Sequence, residues 1–328
     1  MECTFDAELK ITDLLRRFRG QAAYFDELSG NNGDDLISNG ARHAITSAGL
    51  NLVASPDRAD VLIVTGGAGL SSVWGGAYER IRPYAAEENR RRPLIILPST
   101  ISIESFDLPG VLQSRSAPTY VFAREKLTLS RIRDGRWNAD TTLAIDDDMA
   151  FHLKTSDWLT TVASRARDKH LLIVERRDAE ALSGPADRAV PAPAPLKRLV
   201  PQGLKRAIKR RTHVRARAGT PFAAWARSAA FERFGLDADT AVMTIDASLK
   251  GLLTFDQFVA AIADATAVIT TRLHVAILAS LLGKRTLVVP GDARYGKIQG
   301  IYEYSLRDQP HVTLIDNPFA EADQTPER

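Results

Sequence analysis

Two segments in opposite halves of the chain constrain its fold most. One is Gly30-Asn31-Asn32-Gly33-Asp34-Asp35-Leu36-Ile37. The other is Thr270-Thr271-Arg272-Leu273-His274 and the apolar run that follows to Gly283. Each reads as a polar turn leading directly into an apolar helix. Two such turns predict two nucleotide-fold-like domains with a ligand cleft between them. The length points the same way, since 328 residues is long for a single hydrophobic core.

Short apolar, β-branched runs alternate with helical stretches, the rhythm of a parallel sheet covered by helices. Strands are expected at Val61–Thr65, Leu94–Leu97, Thr119–Ala123 and Thr142–Ile145. Helices are expected at Ala7–Arg19, Asp35–Ala48, Tyr78–Arg92 and Glu125–Arg133. A second series has strands at His170–Val174, Ala241–Ile245, Ala267–Thr270 and Thr286–Val289, with helices at Thr220–Phe234, Thr254–Ala263 and Arg272–Leu282. The break lies near Phe151–Lys169. The expected class is therefore α/β, with two Rossmann-like domains built on parallel sheets. Residues 1–165 form the first of these domains and 166–316 the second. A basic insertion spans 183–218, its Pro-rich start at 183–195 reading as a loop or stiff linker. Residues 317–328 read as a flexible tail.

Composition excludes several classes. The one cysteine, Cys3, leaves no disulfide framework and no cysteine zinc cage. The N-terminal residues have no basic leader followed by an apolar core. The most apolar stretch, 267–290, is broken by Arg272, His274, Lys284 and Arg285, short of the roughly 20 apolar residues a spanning helix needs. A cytoplasmic protein, soluble or peripheral at the inner face of a membrane, is expected. Lys197, Arg198, Lys205, Arg206, Lys209, Arg210, Arg211, Arg215 and Arg217 form a run without Asp or Glu; taking these nine from the net charge of +3 leaves −6. One basic patch on an otherwise acidic chain argues against a nucleic-acid-coating protein. Leu196, Leu199, Val200, Leu204 and Ile208 interleave with the cations at roughly helical spacing. That fits either a basic helix on an anionic membrane or a solvated loop, with RNA contact a weaker third option.

The turns carry the candidate chemistry. Gly30 and Gly33 allow close ligand approach; Asp34 or Asp35 either caps the next helix or faces the cleft. Thr65-Gly66-Gly67-Ala68-Gly69-Leu70 is either a phosphate-approaching turn or a plain strand-to-helix turn. In the second segment Thr270 or Thr271 can cap the helix. Leu273, Ala276, Ile277, Ser280 and Leu281 give its packed face. Arg272 and His274 fall in its first turn, where backbone N–H groups and a guanidinium together favour a phosphate or carboxylate. Arg176, beyond an apolar strand, is placed for an anion in a carboxyl-end crevice. Asp146-Asp147-Asp148 is a solvated loop or a metal ligand set. The other histidines, His43, His152, His170, His213 and His311, read as structural or surface groups.

Together these pieces resemble the polysaccharide pyruvyl transferase family. The resemblance runs from about residue 25 to 306. It is carried by Gly30–Ile37, Val61–Leu70, Ala123-Arg124-Glu125, Asp148-Met149-Ala150, Arg176–Glu180, Arg272-Leu273-His274 and Tyr295–Leu306. The chain departs from it at Pro98-Ser99-Thr100, where the family often has Pro-Gln-Ser, and at Ala68, where a third glycine is usual. The resemblance implies a GT-B-like fold and transfer of a pyruvyl group from phosphoenolpyruvate to two hydroxyls of a sugar in an exopolysaccharide or other cell-surface glycan. His274 is then the acid/base or phosphate-leaving partner. Asp34 orients or deprotonates the acceptor. Arg272, Leu273 (through its backbone), Arg176 and Lys297 bind the donor. Asn31, Asn32, Gly33 and Gly67 line the acceptor side. No nicotinamide cofactor or metal is required. The partners are phosphoenolpyruvate, a saccharide acceptor that a lipid can carry, and an anionic membrane surface along Lys197–Arg217, with no nucleic acid. Two rivals use the same features: a GT-B-type glycosyltransferase with a nucleotide-sugar donor, and a non-catalytic scaffold in polysaccharide assembly.

Overall fold

A computed structural model describes residues 3–70, 77–103, 106–176, 202–290, 296–316 and 318. The chain divides into two compact units. Met1–Gly30, Asp34–Ser156 and Glu303–Ser305 form the first; Asn31–Gly33, Asp157–Tyr302 and Leu306–Arg328 form the second.

The first unit contains β1 (Thr4–Phe5), α1 (Ile11–Arg17), β2 (Ala22–Asp26), α2 (Asn32–Ser47, from Asp34 on), β3 (Asn51–Val53), β4 (Val61–Val64), β5 (Gly67–Leu70), α3 (Ala77–Ile81), β6 (Leu94–Ile101), α4 (Leu108–Leu112), β7 (Thr119–Ala123), α5 (Lys126–Arg133) and β8 (Thr141–Ile145). Its eight strands run parallel in the order β1-β8-β7-β6-β4-β2-β3, with β5 beside the end of β6. The central strands β4 and β6 are buried at every position because both faces are covered. Val61, Ile63, Ile95 and Leu97 pack with Ile11, Leu14 and Leu15 of α1 and Ile37, Ala41 and Ile45 of α2. Their neighbours Leu62, Val64, Leu94 and Ile96 point the other way, against Ile81, Leu108, Leu112 and Ile132 of α3, α4 and α5.

The second unit contains α6 (Asp157–Ser164), β9 (His170–Val174), α7 (Gln202–Ala218), α8 (Pro221–Phe234), β10 (Ala241–Thr244), α9 (Phe255–Ala263), β11 (Ala265–Thr270), α10 (Leu273–Leu281), β12 (Arg285–Val288), α11 (Lys297–Ile301) and β13 (Val312–Leu314). The sheet is parallel, ordered β10-β9-β11-β12-β13. Leu171, Ile173, Ala267, Ile269 and Leu287 meet Phe222, Ala226 and Ala230 of α8 on one face. Both α9 and α10 pack on β11. Local chemistry sets the ends of these helices. Thr220 Oγ1 accepts from Ala223 N–H at the start of α8, and left-handed Gly235 (φ 58°) stops it. A reciprocal Thr254–Gln257 capping box opens α9.

The expected α/β class and parallel sheets are present. Several boundaries differ. The helix expected over Tyr78–Arg92 is only the one-turn α3 followed by a 3₁₀ turn at Arg82–Ala85, because Pro83 cannot supply the next hydrogen bond. α2 opens at Asn32, ahead of both expected aspartate caps. Among the described residues no helix is long and apolar enough to cross a membrane. Residues 183–195, Lys197, Arg198, Arg177–Glu180, Tyr295 and most of the expected tail lie outside the described residues.

Candidate active site

The second turn is built at the end of β11, an interior strand flanked by β9 and β12. Thr270 pairs in register with Val174 and Val288. Thr270 Oγ1 accepts from Arg272 N–H at 2.9 Å. Thr271 donates its N–H to Val174 at 3.0 Å, and its hydroxyl oxygen accepts from Arg176 N–H at 2.7 Å. The turn is therefore tied to the outgoing end of β9, which carries Arg176, half-buried, beside it. Arg272 takes the extended N-cap position of α10 and makes no side-chain capping bond. Leu273 is buried, so only its backbone can serve a ligand. α10 itself is buried on almost every side, Val275, Leu278 and Ala279 included, where one packed face was expected.

Arg272 has an internal partner that the sequence reading did not include. Its side chain is only 5 % exposed and grips the Asp246 carboxylate through two nitrogens, Nε donating to Oδ1 at 3.1 Å and a terminal nitrogen to Oδ2. Asp246 is buried too, and its backbone N–H donates to His213 Nε2 at 3.1 Å. A guanidinium held by an internal carboxylate fixes the turn, whereas the sequence reading assigned it to a donor anion. Asp246 was missed. The available signal was a carboxylate just past an apolar strand, a position where open α/β sheets place ligand-facing groups.

The first turn meets the second at His274. Asn31 Oδ1 accepts from Gly33 N–H at 2.7 Å, so Asn31 rather than Asp34 or Asp35 caps α2. Asn32 was expected to face the acceptor, but it is fully buried. Its N–H donates to Ser248 at 2.8 Å, and its side-chain amide donates to Ala247 at 3.1 Å and Leu253 at 3.2 Å. Gly33 then lies against the His274 ring: a Cβ on residue 33 would stand 2.5 Å from Nδ1. His274 remains partly solvent-accessible. The structure thus brings Asn31, Gly33, Arg272 and His274 into one constellation within the second unit.

Other expected residues fall elsewhere. Asp34 is half-buried and folds its carboxylate over Gly30, where a Cβ would lie 1.9 Å from Oδ2. Gly67, expected on the acceptor side, is buried in β5 at φ +107°, with the Ile37 methyl 3.0 Å from where a Cβ would stand. Lys297 starts α11 after left-handed Gly296 and is half-buried.

The three aspartates are not a solvated loop. Asp146 accepts from Ile11 N–H at 2.7 Å. Asp147 accepts from the Ser305 hydroxyl at 2.6 Å, and burial pushes its carboxyl above the usual range. Asp148 is bound by Arg124 at 2.7 Å and caps a 3₁₀ turn. Arg124 also donates to Thr100, so Ser99 and Thr100, at the point of departure from the family pattern, are buried structural residues. Burial lowers the pKa of His152 and of His170, whose ring bonds the Ala261 carbonyl at 3.0 Å. Among the described residues no group of three or more His, Cys, Asp or Glu is arranged to hold a metal ion.

Residues 234–292 match the polysaccharide pyruvyl transferase family. The matched segment runs through β10, α9, β11, α10 and β12, so it contains Asp246, Arg272 and His274. No curated protein matches the chain. Among solved structures, an uncharacterized protein from Klebsiella pneumoniae subsp. pneumoniae NTUH-K2044 is similar, with TM-score 0.59 and 21 % identity over 94 % of this chain and 98 % of that one. That likeness establishes the shared fold.

Proposed function

We propose that this chain is a pyruvyl transferase that moves the pyruvyl group of phosphoenolpyruvate onto two hydroxyls of a saccharide in a cell-surface glycan. The observation that carries the proposal is the position of His274 inside the family-matching segment, at the first turn of α10 and against the Gly33 backbone.

The reaction dictates what a site must hold. One acceptor oxygen bonds to carbon 2 of the enol as carbon 3 gains a proton. The bond from carbon 2 to the phosphate oxygen then breaks, and the second acceptor oxygen takes its place. Of the two protons lost by the hydroxyls, one balances carbon 3 and the other leaves with phosphate. No electron is exchanged, so no redox cofactor enters. An imidazole can both accept and donate a proton, and we assign His274 to proton movement at carbon 3 or at the departing phosphate. The backbone N–H groups of Leu273 and His274, at the positive end of α10, stabilise the donor's negative charge. Arg176 and Lys297 add cationic charge. Arg272 holds the turn through Asp246. Asp34 orients an acceptor hydroxyl, and the acceptor is carried on a lipid.

Calorimetric titration separates this reading from a nucleotide-sugar enzyme. Phosphoenolpyruvate should bind and UDP-glucose should not; the reverse result overturns the proposal. With an extract of the host glycan as acceptor, His274→Ala should release phosphate at least about a hundredfold more slowly than wild type while melting normally.

A further inference from the structure

α7 is unlike the other described helices. Seven of its 17 residues are Lys or Arg and none is Asp or Glu. It packs against β10 and α8. His213, Val214 and Arg217 are half-buried, whereas Ile208, Arg211 and Arg215 are exposed at the spacing that puts them in one outward stripe. At 57 % exposure, Ile208 is the most exposed large hydrophobic side chain among the described residues.

A second element extends this surface. Lys209 Nζ lies on the 249–251 turn, 2.8 Å from where a Cβ on Gly251 would stand. That turn contributes Leu249, also exposed, and Lys250. Residues 247–253 contain no acidic residue, and the carboxylate just before them, Asp246, is buried against Arg272. Two outward aliphatic side chains therefore stand among clustered cations, on two elements held together.

We infer that the face formed by α7 and the 249–251 turn docks on an anionic lipid bilayer. Cations alone would suit any polyanion. Exposed Ile208 and Leu249 gain nothing from a soluble polyanion but are rewarded at the headgroup boundary, where apolar burial and charge attraction add. The inference deepens the transferase reading in one respect. The turn that would touch lipid belongs to the same 247–253 stretch that holds Asn32 beside Gly33 and His274, so a lipid-borne acceptor would be presented close to that constellation.

Flotation of the full chain with vesicles tests it without turnover, so failure of the transferase assay leaves the inference standing and the converse also holds. The protein should float with vesicles containing a third phosphatidylglycerol, salt-sensitively, and stay behind with pure phosphatidylcholine. Arg211→Glu with Arg215→Glu should lower the partition coefficient at least about tenfold. Ile208→Ser with Leu249→Ser should lower it several-fold at unchanged charge. Matching melting curves would show that the variants are folded. Absent flotation, equal flotation with neutral vesicles, or flotation that heparin abolishes and the serine pair leaves unchanged would overturn the inference, the last by identifying a soluble polyanion site.

Discussion

Residue 33 shows how little room the site leaves. Gly33 has no need of a left-handed backbone; its requirement is steric, since the His274 ring occupies the space a side chain would take. Gly33→Ala should displace the imidazole and destabilise the protein by about 1–3 kcal/mol, as overpacking typically does. A disproportionate fall in transferase turnover, larger than the loss of folded protein at the assay temperature, would mark the ring as the reacting group. Unchanged turnover would separate His274 from the chemistry. Both Gly33 and His274 are legible in the sequence because a polar turn before an apolar helix is a local pattern. The fate of Arg272 is not. Its partner Asp246 lies 26 residues away, and no local pattern reports that a guanidinium will be neutralised from within.

At the scale of elements, the motif around Arg124 and Asp148 proves to be a buried ion pair joining the ends of β7 and β8. The side chains are 1 % and 0 % exposed. Asp148→Ala should cost about 3 kcal/mol, read from the urea midpoint, because it leaves the buried guanidinium only the longer 3.7 Å contact with the Glu125 carboxylate. The long interior strands β4, β6, β7, β9 and β11 are readable as apolar runs. Strands β1, β3 and β13 have two or three residues each, too few to show any period. In β2 only alternate residues are buried, and β5 is Gly-Ala-Gly-Leu, whose strand character comes from pairing with β6. Helix ends moved wherever a cap other than the expected one won, as Asn31 did over Asp34.

For the whole molecule, buried His170 and half-buried His152 set an acid limit. Their folded pKa values lie below the ordinary value near 6.5, because burial disfavours the charged ring. The unfolded chain therefore binds more protons as pH drops below about 6.5, and stability falls through that window. Thermal melts at pH 7.5 and 5.5 should show a decline. His170→Gln, whose amide can still donate to the Ala261 carbonyl, should flatten its slope; an unchanged slope would place the acid sensitivity elsewhere. Two parallel sheets follow from the βαβ rhythm. The family match is narrower than the full-length resemblance: it covers the segment with Asp246, Arg272 and His274 but not Gly33, Arg176 or Lys297.

The bonds from Asn32 to Ala247, Ser248 and Leu253 have a consequence for how the protein is made. A side chain translated near the start waits for a carbonyl 221 positions later, roughly 10–45 s at typical ribosome speeds. The second sheet is finished later still, since β11, β12 and β13 follow residue 253, and the 247–253 stretch beside it is completed only by a piece of early chain. An expressed fragment beginning at Asp157 would lack that piece and leave those carbonyls to water. Supplying residues 1–47 in trans, rather than lengthening the fragment at its C-terminal end, is the repair this connectivity calls for.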